Sequence, residues 1–150
     1  MQLTRYTDYS LRVLFFLAAH PGERCTISQI SEYFNVSRNH MVKVVHNLGQ
    51  LGFIHTIRGK SGGMTLAMQA ADINIADVVK RVEPHMNLLE CFDKPTNTCP
   101  IIAQCGLKGV LYKARKGFMA VLAEYTVADL LPADGLPETP PSIGIEIKIE

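Results

Sequence analysis

The sequence predicts a mainly α-helical chain with one small β-hairpin and a long C-terminal helix, and three observations carry that prediction. Apolar residues recur at helical spacing through most of residues 7–51. A glycine-rich basic segment, Arg58-Gly59-Lys60-Ser61-Gly62-Gly63, then separates two short runs rich in strand-forming residues. Further on, an apolar stripe runs through residues 106–125, opposite Lys108, Lys113, Arg115 and Lys116.

The elements follow in order. From Thr7 to His20, Tyr9, Val13, Phe16 and Leu17 recur on one helical face, which Leu14 and Phe15 widen; Thr7 and Asp8 are placed to cap the start, and Pro21-Gly22 ends it. Thr26-Ile27-Ser28-Gln29 has the form of a capping box, so Ile27 to Phe34 is a second, short helix. Asn35-Val36 makes a turn. Ser37 is placed to cap a third helix reaching about Leu51, with Met41, Val44, Val45, Leu48 and Leu51 inward and Arg38, Asn39, Lys43 and Asn47 outward. Gly52 suits the left-handed position after a helix. Residues 53–56 and 64–67 form the two arms of the hairpin. Helix, helix, turn, longer helix and hairpin, joined by short connections, is the winged helix-turn-helix arrangement.

Residues 74–83 predict one more short helix, capped by Asn74 and closed by Pro84, and residues 84–104 show no periodicity. In the long helix, Leu107, Val110, Leu111, Ala114, Phe118, Val121, Leu122 and Tyr125 form one stripe. No helix of similar length remains to cover it, so a second copy of the chain is the simplest partner and a homodimer is expected. Packing on the first helix is the alternative. Thr126-Val127-Ala128-Asp129 caps a last short turn. The expected organisation is a DNA-binding region over 1–70, a cysteine loop and dimerisation helix over 71–131, and a flexible tail over 132–150. Within that tail the alternating residues 143–149 could form a loosely attached strand.

Bulk composition sets limits on function. The chain has 150 residues, 47% of them hydrophobic, with a formal net charge of +1, which excludes a uniformly polybasic binder. Charge is unevenly spread: residues 1–70 carry Arg5, Arg12, Arg24, Arg38, Lys43, Arg58 and Lys60 against Asp8, Glu23 and Glu32, and the rest is net acidic. Arg12 interrupts the apolar N-terminal stretch, so it does not form a signal peptide. No apolar run reaches the ~20 residues that a membrane span needs. A soluble cytoplasmic protein with no membrane partner is expected. No nucleophile elbow or phosphate loop is present, which argues against an enzyme.

Two constellations carry chemistry. Ser37, Arg38, Asn39 and His40 occupy the first turn of the third helix, where a recognition helix meets base edges of double-stranded DNA; arginine there pairs with guanine and asparagine with adenine. Lys43, Arg58, Lys60, Ser61 and Arg12 are placed to meet phosphates or the minor groove. The second constellation is Cys91-x7-Cys99-x5-Cys105. Three thiolates in one irregular loop can converge on a soft-metal centre. Zinc is the rival, with His85 as fourth ligand, although no compact Cys-x2-Cys knuckle is present. Cys25 stands apart.

Thr7-Asp8-Tyr9, the run from Val36 to Val44, Arg58 to Gly63, Val78-Val79 to Glu83-Pro84 and the cysteine triplet together resemble the Rrf-two family of winged-helix regulators, over essentially Met1 to Leu131. The cysteine spacing is similar to that of its nitric-oxide-sensing repressors. Its cluster-biogenesis regulators have a shorter first gap and a histidine ligand. The resemblance implies an iron–sulfur cluster, 4Fe-4S with 2Fe-2S as the alternative, on Cys91, Cys99 and Cys105. It further implies Asp8 of the partner subunit as the fourth, oxygen ligand, and operator release on nitrosylation. On the residues alone, Asp8 reads as a helix cap. The resemblance does not cover the tail after Leu131.

Overall fold

Thr4 starts the first helix. In the computed structural model, which describes residues 2–137, α1 spans Arg5–Ala19, and the Thr4 hydroxyl accepts the Thr7 N–H. The expected caps Thr7 and Asp8 therefore lie inside the first turn. Thr7 is fully buried and donates its hydroxyl to the Glu83 carboxylate, a group the local sequence does not supply. Asp8 stands in the first turn, where the helix end attracts a carboxylate.

Helix α2 (Ile27–Phe34) begins with the capping box in full, Thr26 and Gln29 each satisfying the other's backbone N–H. Asn35 then takes a left-handed conformation, φ 50°, and α3 runs over Arg38–Gln50. Ser37 occupies the cap position, but its hydroxyl makes no capping bond. Its carbonyl receives the His40 and Met41 N–H groups instead, at 3.0 and 3.2 Å. At the other end Gly52 is left-handed, φ 78°, and the Phe53 N–H returns to the Leu48 carbonyl at 3.0 Å, a Schellman closure.

Strands β1 (Ile54–Ile57) and β2 (Gly63–Leu66) pair antiparallel, with Ile54 opposite Leu66 and Ile57 opposite Gly63. Cys25, between α1 and α2, adds a one-residue bridge to Met64 on the outer side of β2. Helix α4 (Ile75–Val82) is capped by Asn74, whose side-chain oxygen accepts from Ala76 and Asp77. Val13, Leu14, Ile30, Met41, Val44, Leu48, Phe53, Val78, Val79 and Val127 belong to one buried apolar cluster, so α4 shares the core of the first three helices.

Helix α5 (Gly106–Ala123) packs on α4. The single stripe expected from the sequence splits into two faces. Leu111, Phe118 and Leu122 are half-buried, while Leu107, Val110, Ala114 and Val121 are exposed. Beyond the last turn the chain returns to the head: Leu136 packs on the core and the Tyr33 hydroxyl donates to the Pro137 carbonyl at 2.9 Å. The alternating residues 143–149 lie outside the described residues.

Candidate nucleic-acid interface and cysteine loop

The outward face of α3 presents Arg38, Asn39, His40, Val42, Lys43 and His46 to solvent, with Ser37 exposed just ahead of it. The face is held from behind. Met41, Val44, Val45 and Leu48 are buried, which fixes the rotation of the helix about its axis. Helix α1 braces it from the side: the Tyr9 ring stacks on His40 at 6.1 Å, and the Tyr6 hydroxyl donates to the Lys43 carbonyl at 3.1 Å. Partial burial raises the Tyr6 phenol above its ordinary value.

Arg58, Lys60 and Ser61 stand exposed at the tip of the hairpin. Backbone packing dictates the glycines there. A β-carbon on Gly62 would lie 2.3 Å from the Ile57 carbonyl oxygen, and one on Gly63 would lie 2.9 Å from that of Cys25. Arg24 donates from Nη1 to the Ser61 carbonyl at 3.2 Å, tying the tip to the segment between α1 and α2. Sequence reasoning had no signal for Arg24, because the bond joins residues that only the fold brings together.

Arg12 is differently placed from the other cations. Its Nε and Nη2 hold the Asp8 carboxylate at 3.0 and 2.8 Å, and its guanidinium sits 5.8 Å from the Tyr9 ring and 5.6 Å from the Phe34 ring. Both charged groups are partly exposed, so the pair by itself adds little stability. It does commit Arg12 to its own helix and to the end of α2, just ahead of α3.

Three of the four cysteines lie on the segment joining α4 to α5. Cys91 is buried in a single 3-10 turn, Cys99 is half-buried, and Cys105 is the N-cap residue of α5. All are free thiols. Arg115 fastens the segment to α5: Nη1 donates to the Met86 carbonyl at 3.3 Å, and the guanidinium lies 4.3 Å from the Tyr112 ring and 5.1 Å from the Phe92 ring. Elsewhere the loop is braced by short-range polar bonds such as Thr98 to Glu90 at 3.1 Å and Thr96 to Asp93 at 2.8 Å. Among the described residues no three His, Cys, Asp or Glu side chains converge as a metal site. His85 is exposed, beside a pocket of about 350 Å³ between the N-terminus and the loop. The donor set fits a soft-metal group: three thiols without disulfide partners, on a segment whose regular structure is limited to single 3-10 turns. Gathering them requires that segment to close around the group.

Known proteins share this fold and much of this sequence. The family described as Rrf2, iron-dependent transcriptional regulator, matches residues 3–133. The HTH-type transcriptional regulator NsrR of Bacillus subtilis (strain 168) is 53% identical over 132 residues, covering 87% of this chain and 90% of that protein. Among solved structures, T. potens IscR superposes with a TM-score of 0.69 at 23% identity, covering 86% of this chain and 85% of that one. CymR, the global cysteine regulator of B. subtilis, gives a TM-score of 0.69 at 23% identity, covering 87% and 95%; at such identity these two establish the fold. Among the described residues no helix is long and apolar enough to cross a membrane. With its winged helix-turn-helix head, its free thiols between α4 and α5, and relatives that are transcriptional regulators, the chain belongs to the Rrf2 family of transcriptional regulators.

Proposed function

We propose that the protein is a cytoplasmic, homodimeric, iron–sulfur-dependent repressor, not an enzyme, which binds double-stranded operator DNA and releases it in response to nitric oxide. The observation that carries this reading is the position of three free thiols between the head and the exposed face of α5. Cys91, Cys99 and Cys105 would hold a 4Fe-4S cluster, or 2Fe-2S as the alternative, with Asp8 of the partner subunit as fourth ligand. When bound, the cluster supplies iron that nitric oxide can attack.

The chain's own residues supply the rest. Leu107, Val110, Ala114 and Val121 follow one another at spacings of three, four and seven residues on the exposed side of α5, the pattern of a helix–helix seam. A second copy on that seam pairs two recognition helices, whose separation must match one turn of DNA, about 34–36 Å. Asp8, half exposed, is bonded twice to Arg12, so drawing it toward a ligand pulls on Arg12, which abuts Phe34 just before the turn into α3. Ser37, Arg38, Asn39 and His40 read bases, and Lys43, Arg58, Lys60 and Ser61 hold the backbone.

The test is anaerobic purification, iron and sulfide counts per chain, and operator affinity at fixed salt before and after nitric oxide. Bound iron and sulfide with a loss of affinity on treatment are expected. Iron-free protein, stoichiometric zinc, or equal affinity in both states refutes the reading.

A further inference from the structure

Val42 lies on the DNA-facing side of α3 with 45% of its surface exposed, while Val44 and Val45 beside it are 0% and 5% exposed. Its neighbours therefore meet the core's demand for apolar side chains, and Val42's own methyl groups face outward. One exposed valine on a surface is ordinary. This one sits between Arg38 and Asn39 on the preceding turn and His46 on the following one, in the middle of an otherwise polar face. It also lines a groove of about 530 Å³ between α3, the start of α2 and the hairpin, with Arg38, His46, Ile57 and Arg58. Ile57 is itself 48% exposed. Cations and aliphatic side chains thus share one groove, and a purely solvated helix face would be better served by a straight-chain polar residue, since β-branching lowers helix propensity.

We propose that Val42 is a specificity-determining residue that reads the 5-methyl group of a thymine in the major groove. Thymine alone among the four bases presents a methyl there, and an apolar side chain is what recognises it. Valine is stiff about χ1, so holding it against a methyl orders little that is not already ordered. Four residues of helix rise about 6 Å, so the thymine lies about one to two base pairs from the base that Arg38 contacts.

The inference rests on α3 being the DNA-reading helix, and the experiment separates the two. The full chain, purified anaerobically, enriches its preferred site from a randomised duplex library. Each thymine of that site is then replaced singly by deoxyuridine, which removes only the methyl, and affinities are measured for the natural chain and for Val42→Ala. At one thymine, loss of the methyl is expected to weaken the natural chain about fourfold, the transfer of one methyl out of water. Val42→Ala is expected to weaken binding by a similar factor and to be indifferent to deoxyuridine there. Affinity for an unrelated duplex, set by phosphates, stays equal in both proteins, and so does the thermal midpoint. An enriched site without an invariant thymine, or losses that multiply at every thymine, overturns the assignment. Failure to enrich any sequence instead overturns the DNA-reading role of α3 itself.

Discussion

Replacing Glu83 by alanine removes the carboxylate that closes the start of α1 from the far end of α4. Its oxygens accept the Thr4 N–H at 3.2 Å, the Thr4 hydroxyl at 3.0 Å and the hydroxyl of fully buried Thr7. A hydrogen bond to a charged group contributes about 1.5–3 kcal/mol, and a carboxylate near a helix N-terminus adds about 0.3–1 kcal/mol. The bonds converge on one side chain and do not add. The Thr4 and Thr7 hydroxyls also lie 3.2 Å apart and can pair without it. The expected loss for Glu83→Ala is therefore about 3 kcal/mol, and for Glu83→Gln, which keeps one acceptor oxygen, about half as much. In a chain of this size that lowers the thermal midpoint by about 6–12 °C. The urea midpoint should fall with its slope unchanged, since the surface exposed on unfolding is the same. The decisive measurement is a double-mutant cycle with Thr7→Val, for which a coupling above about 1 kcal/mol is expected. Coupling near zero, or a loss below about 0.5 kcal/mol for Glu83→Ala, refutes the role given to this carboxylate.

Three further outcomes follow from named contacts. Ala114→Glu places a charge in the middle of the exposed face of α5, and light scattering after size exclusion should then report a folded monomer; a persistent dimer would show that the seam lies elsewhere. Gly62→Ala would drive a β-carbon to 2.3 Å from the Ile57 carbonyl oxygen, so the hairpin tip must shift and operator affinity should drop at least about tenfold, which an unchanged gel-shift titration would disprove. Burial, and then the Glu23 charge, raise the Cys25 thiol, so the folded state holds its proton after the unfolded chain has lost it. Stability from this source is complete below the unfolded thiol's value of about 8.5 and declines as pH rises past it. Denaturation from pH 7 to 10 should show a shallower decline in Cys25→Ala, and identical profiles would count against it.

Elements whose signals are local were legible in the chain. The Thr26 and Gln29 box, the turn at Asn35-Val36, the glycine after α3 and the Gly59 to Gly62 turn of the hairpin each depend on bonds within a few residues, so spacing and residue type sufficed. Of the four residues expected to face outward on α3, Arg38, Asn39 and Lys43 are exposed as helical period predicts, whereas Asn47 is half-buried and its side-chain oxygen lies inside, turned in by the packing of the helix end. The carboxylate that closes the start of α1 was not legible, being 79 residues away from Thr4, although the Thr4 cap itself lies only three residues from Thr7. Nor was the role of Ser37, whose backbone carbonyl starts α3 in place of its hydroxyl.

The sequence by itself determined the order and kind of elements, the basic outward face of α3 and the trio of thiols, since periodicity, capping and composition act along the chain. Tertiary structure alone decided which side of α5 is left uncovered, that Arg12 is held by Asp8 beside Phe34, and that Arg24 steadies the hairpin tip. Such contacts depend on where a side chain's neighbours lie in space, and the packing of the shared core sets those neighbours.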